Sequence, residues 1–114
     1  MSSILTDVKH KVGPSGDYTY YDLDITDAIN RAFGTLTQIG VGPDEGFSIE
    51  DASTEWEDFV TDKTTLNLVK SYIYIKVRLL FDPPTSSTFQ NALKEEATEL
   101  EWRLNVQNDP ERKG

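Results

Sequence analysis

Apolar residues recur at helical spacing in the first third of the chain and predict two amphipathic helices. Ser3 can cap a short first helix that ends at Gly13. A longer helix is expected to start near Asp22 or Asp24 and to stop at Gly40. Its buried stripe has the helical period and consists of Ile25, Ala28, Ile29, Ala32, Phe33, Leu36 and Ile39.

The middle of the chain, residues 41–65, has no helical period and contains glycine and proline residues that break regular structure. We therefore expect an irregular excursion from the bundle. Ser53 is the candidate cap of a short helix that carries Trp56 and Phe59. Eight acids and no Lys or Arg lie between residues 44 and 62, so this excursion is strongly acidic.

The most apolar segment covers residues 66–81 and is apolar on most of its faces, as expected of a central helix packed by neighbours. Residues 72–79 also alternate between apolar and polar types, which would suit a half-buried strand. The length of the segment favours the helix, because about 16 residues pass without a turn signal. Asp82-Pro83-Pro84 then ends it, since proline lacks a backbone donor.

A last helix is predicted to begin at Ser86 or Ser87, and its apolar face is narrow. The predicted buried stripe on this face consists of Phe89, Leu93, Ala97, Leu100 and Leu104. Glu99 and Arg103 can pair on the wet side at i,i+4 spacing. Trp102 lies about 200° from Leu100 around the helix, so it is either a second packing contact or an exposed anchor for a partner.

These elements predict an all-α fold, a small bundle of about four helices with the acidic excursion between the second and third long helices. Residues 1–106 are expected to form one domain, in line with the usual domain size. Residues 107–114 are polar and contain Pro110, so we expect a flexible C-terminal tail.

Charge and composition narrow the function classes. The formal net charge of -9 argues against direct binding of nucleic acid, because such binding needs a basic patch on the protein. No apolar run is long enough to cross a membrane, and the absence of cysteine excludes disulfides and thiolate metal ligands. Lys70, Lys76 and Arg78 lie downstream of the acids, and this asymmetry indicates either head-to-tail or hetero-partner contacts or a solvated acidic loop.

The sequence offers no catalytic, metal or cofactor site. His10 has no nucleophile near it in sequence, and we expect it to be exposed. Asp22, Asp24 and Asp27 resemble a calcium loop, but Phe33 stands where that loop needs a bidentate Glu. The glycine-containing turn at residues 13–16 lacks the lysine of a phosphate-binding loop, and Glu95, Glu96, Glu99 and Glu101 are interpreted as a solvated face.

Aromatic and branched apolar residues on the acidic background are the remaining candidates for function. Phe47, Ile49, Trp56 and Phe59 lie among the acids, and Tyr18, Tyr20 and Tyr21 precede the second long helix. Exposed aromatics of this kind anchor interfaces. In the alternative interpretation, they cover the ends of a small bundle.

The order of elements resembles the head-tail connector, or adaptor, proteins of tailed bacteriophages. The order is a short helix, a long helix containing Asp27-Ala28-Ile29-Asn30-Arg31-Ala32-Phe33, an irregular middle, the apolar segment, Asp82-Pro83-Pro84 and a last helix. The resemblance covers nearly the whole chain and is strongest over residues 36–48 and 66–106. It implies a dodecameric ring under the portal protein that receives the stopper or tail terminator on its other side. The protein would be made in the host cytoplasm and would lie in the virion neck, where DNA passes through the ring without specific binding.

The resemblance also implies roles for two groups of residues. The portal interface would comprise Trp102, Asn105, Val106, Gln107, Asn108, Asp109 and Pro110. The subunit or tail interface would comprise Phe47, Ile49, Trp56 and Phe59. The resemblance implies no catalytic residues.

Three other readings stay open at this point. A small acidic regulator or inhibitor of a basic protein fits the net charge equally well and predicts a stable monomer. A stopper or tail-end protein is the nearest rival within phage assembly, and a small β-barrel would indicate it. A small helical enzyme has the least support, because no acid and base pair stands out.

Overall fold

The computed structural model describes residues 3–12, 22–81 and 83–107, and these form five helices without a strand. The helices are α1 (Ile4–Val12), α2 (Asp22–Gln38), α3 (Trp56–Phe59), α4 (Lys63–Phe81) and α5 (Ser87–Gln107). The predicted all-α bundle is confirmed. The strand alternative for residues 72–79 is wrong, since this segment is the second half of α4.

Side-chain oxygens cap three of the helices. The Thr6 backbone N–H donates to Ser3 Oγ at 3.2 Å, so the predicted Ser3 cap is present. The Phe89 N–H donates to Ser86 Oγ at 3.3 Å, and α5 begins at Ser87, one of its two predicted starts. The Thr65 N–H donates to Asp62 Oδ2 at 2.9 Å. This cap explains why α4 begins at Lys63, three residues before the apolar segment itself.

The short helix α3 has a different cap from the predicted one. Glu55 is its N-cap residue, and the Glu55 backbone N–H donates to Asp58 Oδ2 at 2.8 Å. The Ser53 hydroxyl instead donates to Asp51 Oδ1 at 2.6 Å, which closes a local turn before the helix. The prediction of Ser53 as the cap is wrong because Asp51 engages that hydroxyl.

Helix α4 lies at the centre of the bundle, and α2 and α5 run antiparallel to it. The end of α4 lies beside the start of α2, where Asp24 and Leu80 line one groove. The Tyr72 hydroxyl donates to Glu101 Oε2 at 2.7 Å, which ties the middle of α4 to the second half of α5. Helix α1 packs against α2 and α4.

Most core residues come from the predicted stripe of α2 and from one side of α4. Each fully buried Leu, Ile, Val or Phe side chain contributes roughly 1.5–3 kcal/mol through removal of apolar surface from water. The buried residues of these two helices are Ile25, Ala28, Ile29, Ala32, Phe33, Leu36, Thr65, Leu66, Val69, Tyr72, Ile73 and Val77. Helix α5 adds only Ala97, Leu100 and Leu104.

In the structure the acidic excursion is shorter than the predicted residues 41–65 and covers residues 42–62, because α4 begins at Lys63. Polar and aromatic contacts fix it to the bundle. The Asn30 side chain accepts from the Ile49 N–H at 2.8 Å and donates to the Ile49 carbonyl at 3.0 Å. The rings of Phe33, Phe47 and Phe59 meet in a triangle with centroid distances of 4.7–5.0 Å. The excursion is therefore a packed part of the domain.

Candidate interaction surfaces

The four excursion residues predicted for a subunit or tail interface lie in or against the core of the single chain. Ile49, Trp56 and Phe59 are buried, and Phe47 is partly buried against the Phe33 ring. The Trp56 Nε1–H donates to Asp7 Oδ2 at 2.8 Å, so the polar edge of this indole is also engaged inside the subunit. This placement supports the interpretation in which these residues cover the bundle. Their role between subunits stays a prediction.

Trp102 is exposed on α5, with 66% of its surface accessible to solvent. It is therefore not a second packing contact within the subunit, and its role as an anchor for a partner stays a prediction. The Asn105 side-chain amide donates to the Ile39 carbonyl at 3.0 Å, which fixes the end of α5 beside the end of α2. Val106 is partly buried, and Gln107 ends the helix. Residues 108–110 of the predicted portal interface lie outside the described residues.

The apolar stripe of α5 is less buried than predicted. Phe89 is 46% exposed, although it continues the face that Ala97, Leu100 and Leu104 bury. Phe89 lies in the first turn of α5, beyond the buried part of the stripe, and the Arg78 guanidinium lies 5.3 Å from its ring centroid. The prediction of a buried Phe89 fails because the helix begins at the edge of the bundle.

Two further exposed leucines lie at the same end of the bundle as Phe89. Leu23 is 82% exposed in the first turn of α2, and Leu80 is 54% exposed in the last turn of α4. Leu80 shares a helical face with Val69 and Ile73, which are buried, so its exposure also results from its terminal position. We call Leu23, Leu80 and Phe89 the apolar end.

Leu23 and Leu80 were not predicted as surface candidates. The exposure of Leu23 could have been predicted, because this residue lies between Asp22 and Asp24 and off the predicted stripe. The exposure of Leu80 could not have been predicted from the sequence, since the length of the bundle decides whether a neighbouring helix covers a residue on the buried face. Periodicity reports a side chain's direction around a helix and carries no information on what lies there.

Cations along α1 and α4 lie over aromatic rings. Lys11 Nζ is 5.6 Å from the Tyr74 ring centroid, and Lys70 Nζ is 5.7 Å from the Trp56 ring centroid. Burial, followed by the Asp7 carboxylate, raises the pKa of Tyr74. The positive charge of this face is thus held close to the protein by neutral rings.

A groove crosses this cationic face between α1, α4 and α5. It is lined by Lys11, Val12, Tyr74, Ile75, Arg78 and Leu93, and we call it the basic groove. Its floor is apolar and its two charged residues are Lys11 and Arg78. An acidic segment with some apolar surface is the complementary ligand.

Exposed carboxylates occupy the surface of the excursion. The exposed acids there are Asp44, Glu45, Glu50, Asp51, Glu57, Asp58 and Asp62. Hydrogen bonds from the Ser53 hydroxyl and backbone N–H lower the pKa of Asp51, which keeps this carboxylate ionised. The acidic excursion therefore presents a surface of one charge sign.

Two of the predicted carboxylate features have specific partners. Glu101, expected on a solvated face, accepts the Tyr72 hydroxyl and is partly buried. Burial, followed by the hydrogen bond to Glu101, raises the pKa of Tyr72. Asp22, the first residue of the rejected calcium loop, pairs with buried Lys9 at 2.9 Å.

The remaining chemical candidates give no reactive arrangement. His10 is exposed, as expected. Across residues 3–12, 22–81 and 83–107, no group of His, Asp and Glu side chains is placed to hold a metal ion. None of the helices described here is long and apolar enough to cross a bilayer. The turn at residues 13–16 and the three tyrosines at 18, 20 and 21 lie outside the described residues.

These features define the class of the protein as a small all-α bundle. Exposed apolar side chains and separate acidic and basic surfaces, as in protein-binding modules, lie on its outside. The family model described as phage connector protein matches residues 4–111. This chain therefore belongs to the phage connector protein family, as the resemblance indicated. Searches of curated proteins and of solved structures found no match.

Proposed function

We propose that this protein is the head-tail connector, or adaptor, that forms a ring beneath the portal and joins the capsid to the stopper or tail. The observation that carries the proposal is the match of the connector family model to residues 4–111. The fold adds support, since an adaptor is expected to be a helical bundle and a stopper a small β-barrel.

The distribution of exposed apolar residues fits a protein with two partners. Trp102 lies near the end where α5 finishes, whereas the apolar end lies where α5 begins. Phe89 and Trp102 lie 13 positions apart on α5, which at about 1.5 Å per residue separates them by roughly 20 Å along the helix. Two surfaces so far apart suit binding to one partner on each side.

We assign the Trp102 side to the portal. Trp102 and the neighbouring Asn105 and Val106 lead directly into the polar C-terminal residues, so that one continuous segment can dock. Exposed tryptophan is a frequent binding hot spot, because its large ring buries much apolar area at low entropic cost. The apolar end is then assigned to the stopper or tail terminator.

Net charge supports the passage of DNA through such a ring. A chain with a formal charge of -9 presents a repulsive field to phosphates and would not retain DNA. Carboxylates that face the lumen would therefore let DNA slide without specific contacts.

Portal binding by matched single variants tests this assignment. Trp102→Ala should weaken binding to the purified portal protein of the same phage by about 30-fold, the typical cost of a hot-spot truncation. Leu23→Ala, which also truncates an exposed apolar residue but at the opposite end, should leave portal affinity unchanged. The reverse pattern would assign the portal to the apolar end, and no binding by the wild type would contradict the connector function.

Deletion of the tail gives an independent test. Removal of residues 107–114 should abolish portal attachment, while circular dichroism and the unfolding midpoint of the bundle stay unchanged. Normal tail joining by the truncated protein would contradict the proposed role of this segment in portal binding.

A further inference from the structure

We infer that neighbouring subunits of the ring bind each other through the basic groove of one copy and the acidic excursion of the next. The inference rests on the proposed connector function and specifies the contact that builds the ring. It commits to a second copy of this chain as the occupant of the groove.

The basic groove has the chemistry of a docking site for an acidic segment. Lys11 and Arg78 stand beside a floor that includes Val12, Ile75 and Leu93. In the described part of the chain, neither cation forms an ion pair with a carboxylate, although acids outnumber bases by 20 to 11 in the whole sequence. The aromatic rings of Tyr74 and Phe89 hold both cations in place instead. Among the described residues, no carboxylate therefore competes with an acidic ligand for these two cations.

The acidic excursion is the complementary surface on the same chain. It carries exposed Asp44, Glu45, Glu50 and Glu57 and contains no Lys or Arg. Its aromatic residues pack against the core, and its carboxylates lie on the outer surface. A preorganised acidic surface loses little conformational entropy on binding.

The groove and residues 45–50 of the excursion lie against different helices of one subunit. The groove is lined by residues of α1, α4 and α5. Ile49, next to Glu50, binds the Asn30 side chain of α2, a helix that does not line the groove. The Trp56 part of the excursion lies closer to the groove, since its ring centroid is 6.0 Å from that of Tyr74. Residues 45–50 are therefore the part of the excursion assigned to the next subunit.

Two unlike and complementary surfaces on one chain can form a repeating contact. A heterologous contact between them leaves one groove and one excursion unsatisfied at the ends of any open assembly, and closure into a ring satisfies both. A two-fold dimer that pairs each groove with the excursion of the other copy would also satisfy both surfaces. The ring therefore follows from the proposed connector function, and the mass of the assembly distinguishes it from a dimer.

Complementary charge reversal is the test. One variant carries Lys11→Glu and Arg78→Glu in the groove, and the other carries Glu45→Lys and Glu50→Lys in the excursion. Each variant alone should lose self-association by at least about tenfold, because like charges then meet across the contact. An equimolar mixture of the two should recover association, measured by sedimentation velocity on the free protein or on the portal.

A matched control separates this contact from net charge. Glu95→Lys with Glu96→Lys changes the net charge by the same amount as the excursion variant, but on the exposed side of α5. This control should associate like the wild type at low salt, and the wild-type contact should weaken between about 50 and 500 mM salt. Thermal unfolding checks that all three variants are folded.

The outcomes distinguish the inference from the connector function. Rings that form equally well in both charge-reversed variants would overturn the inference and leave the connector proposal intact. Loss of association that the mixture does not restore would also overturn it. A wild-type protein that never associates, alone or with the portal, would reject the connector proposal itself.

Discussion

The irregular acidic excursion is well packed against the core, whereas the regular helix α5 is largely exposed, the opposite of what their secondary structure would suggest. The excursion has only one short helix, yet it buries Trp56 and Phe59 in the core. Helix α5 is the longest element described, yet it buries only three apolar residues and exposes Phe89 and Trp102. Packing and regular structure are therefore separate properties in this molecule.

The difference teaches where stability and binding reside. Buried side chains of the excursion contribute to the folding free energy, while its acidic side chains lie on the surface. The outer side of α5 contributes little to folding and is free to contact partners. The two tryptophans of the chain, one in each region, allow a direct comparison.

Truncation of the two tryptophans should show the largest contrast. Trp56→Ala should lower the free energy of unfolding by about 3–5 kcal/mol, because it leaves a cavity and removes the hydrogen bond to Asp7. Trp102→Ala should change it by less than about 0.5 kcal/mol, as expected for an exposed position. Urea denaturation followed by circular dichroism measures both, and equal losses would contradict the comparison.

A methyl group at Gly42 should test how tightly the excursion is packed. Gly42 has φ +86°, and a Cβ there would lie 2.3 Å from Phe59 Cε1. Gly42→Ala should therefore cost about 3 kcal/mol, from the left-handed backbone and from displacement of the ring. Gly46→Ala is the control, because Gly46 has φ +96° but open space, so its cost should be only about 1–2 kcal/mol.

The contact between α4 and α5 should give an intermediate effect with a pH signature. Tyr72→Phe removes the hydrogen bond to Glu101 and should cost about 1 kcal/mol at neutral pH. Burial, followed by Glu101, raises the pKa of Tyr72 above its ordinary value near 10, so the folded state favours the protonated phenol. Its contribution is complete below pH of about 10 and declines as the pH rises further.

Alkaline unfolding measures this linkage. The wild type should lose stability above pH of about 10, and Tyr72→Phe should show a shallower decline. Tyr74, whose pKa burial also raises, should account for part of the residual slope. An identical slope in wild type and variant would contradict the role of Tyr72.

The smallest effect should come from the outer side of α5. Arg103 and Glu99 pair at 3.7 Å with both side chains more than half exposed. Arg103→Ala should change the free energy of unfolding by less than about 0.5 kcal/mol, because exposed pairs are screened by water and salt. A larger loss in thermal unfolding would mean that this side of α5 is part of the folding unit.

Much of the fold follows from local patterns in the sequence. The stripe of α2 from Ile25 to Leu36, the Ser3 cap and the Glu99 to Arg103 pair are present as predicted, because each depends on residues a few positions apart. The strand alternative in α4 shows the limit of such patterns, since a helix packed on several sides loses its own period.

Features set by tertiary contacts were not predictable in the same way. The indole N–H of buried Trp56 finds its acceptor on Asp7, which lies 49 residues earlier, and the exposure of Leu80 depends on where the bundle ends. Among the candidate site residues, the exposure of Trp102 could be anticipated from its angular position on the helix, away from the apolar face. The basic groove could not be anticipated from the sequence, because its lining residues come from three separate helices.

The mass of the purified protein in solution, alone and then mixed with its portal protein, tests the central claim most directly. The connector account predicts a ring, at a large multiple of the 12.9 kDa chain mass, or a portal-bound assembly. A stable monomer that ignores the portal and binds a basic host protein instead would contradict the account and favour an acidic regulator.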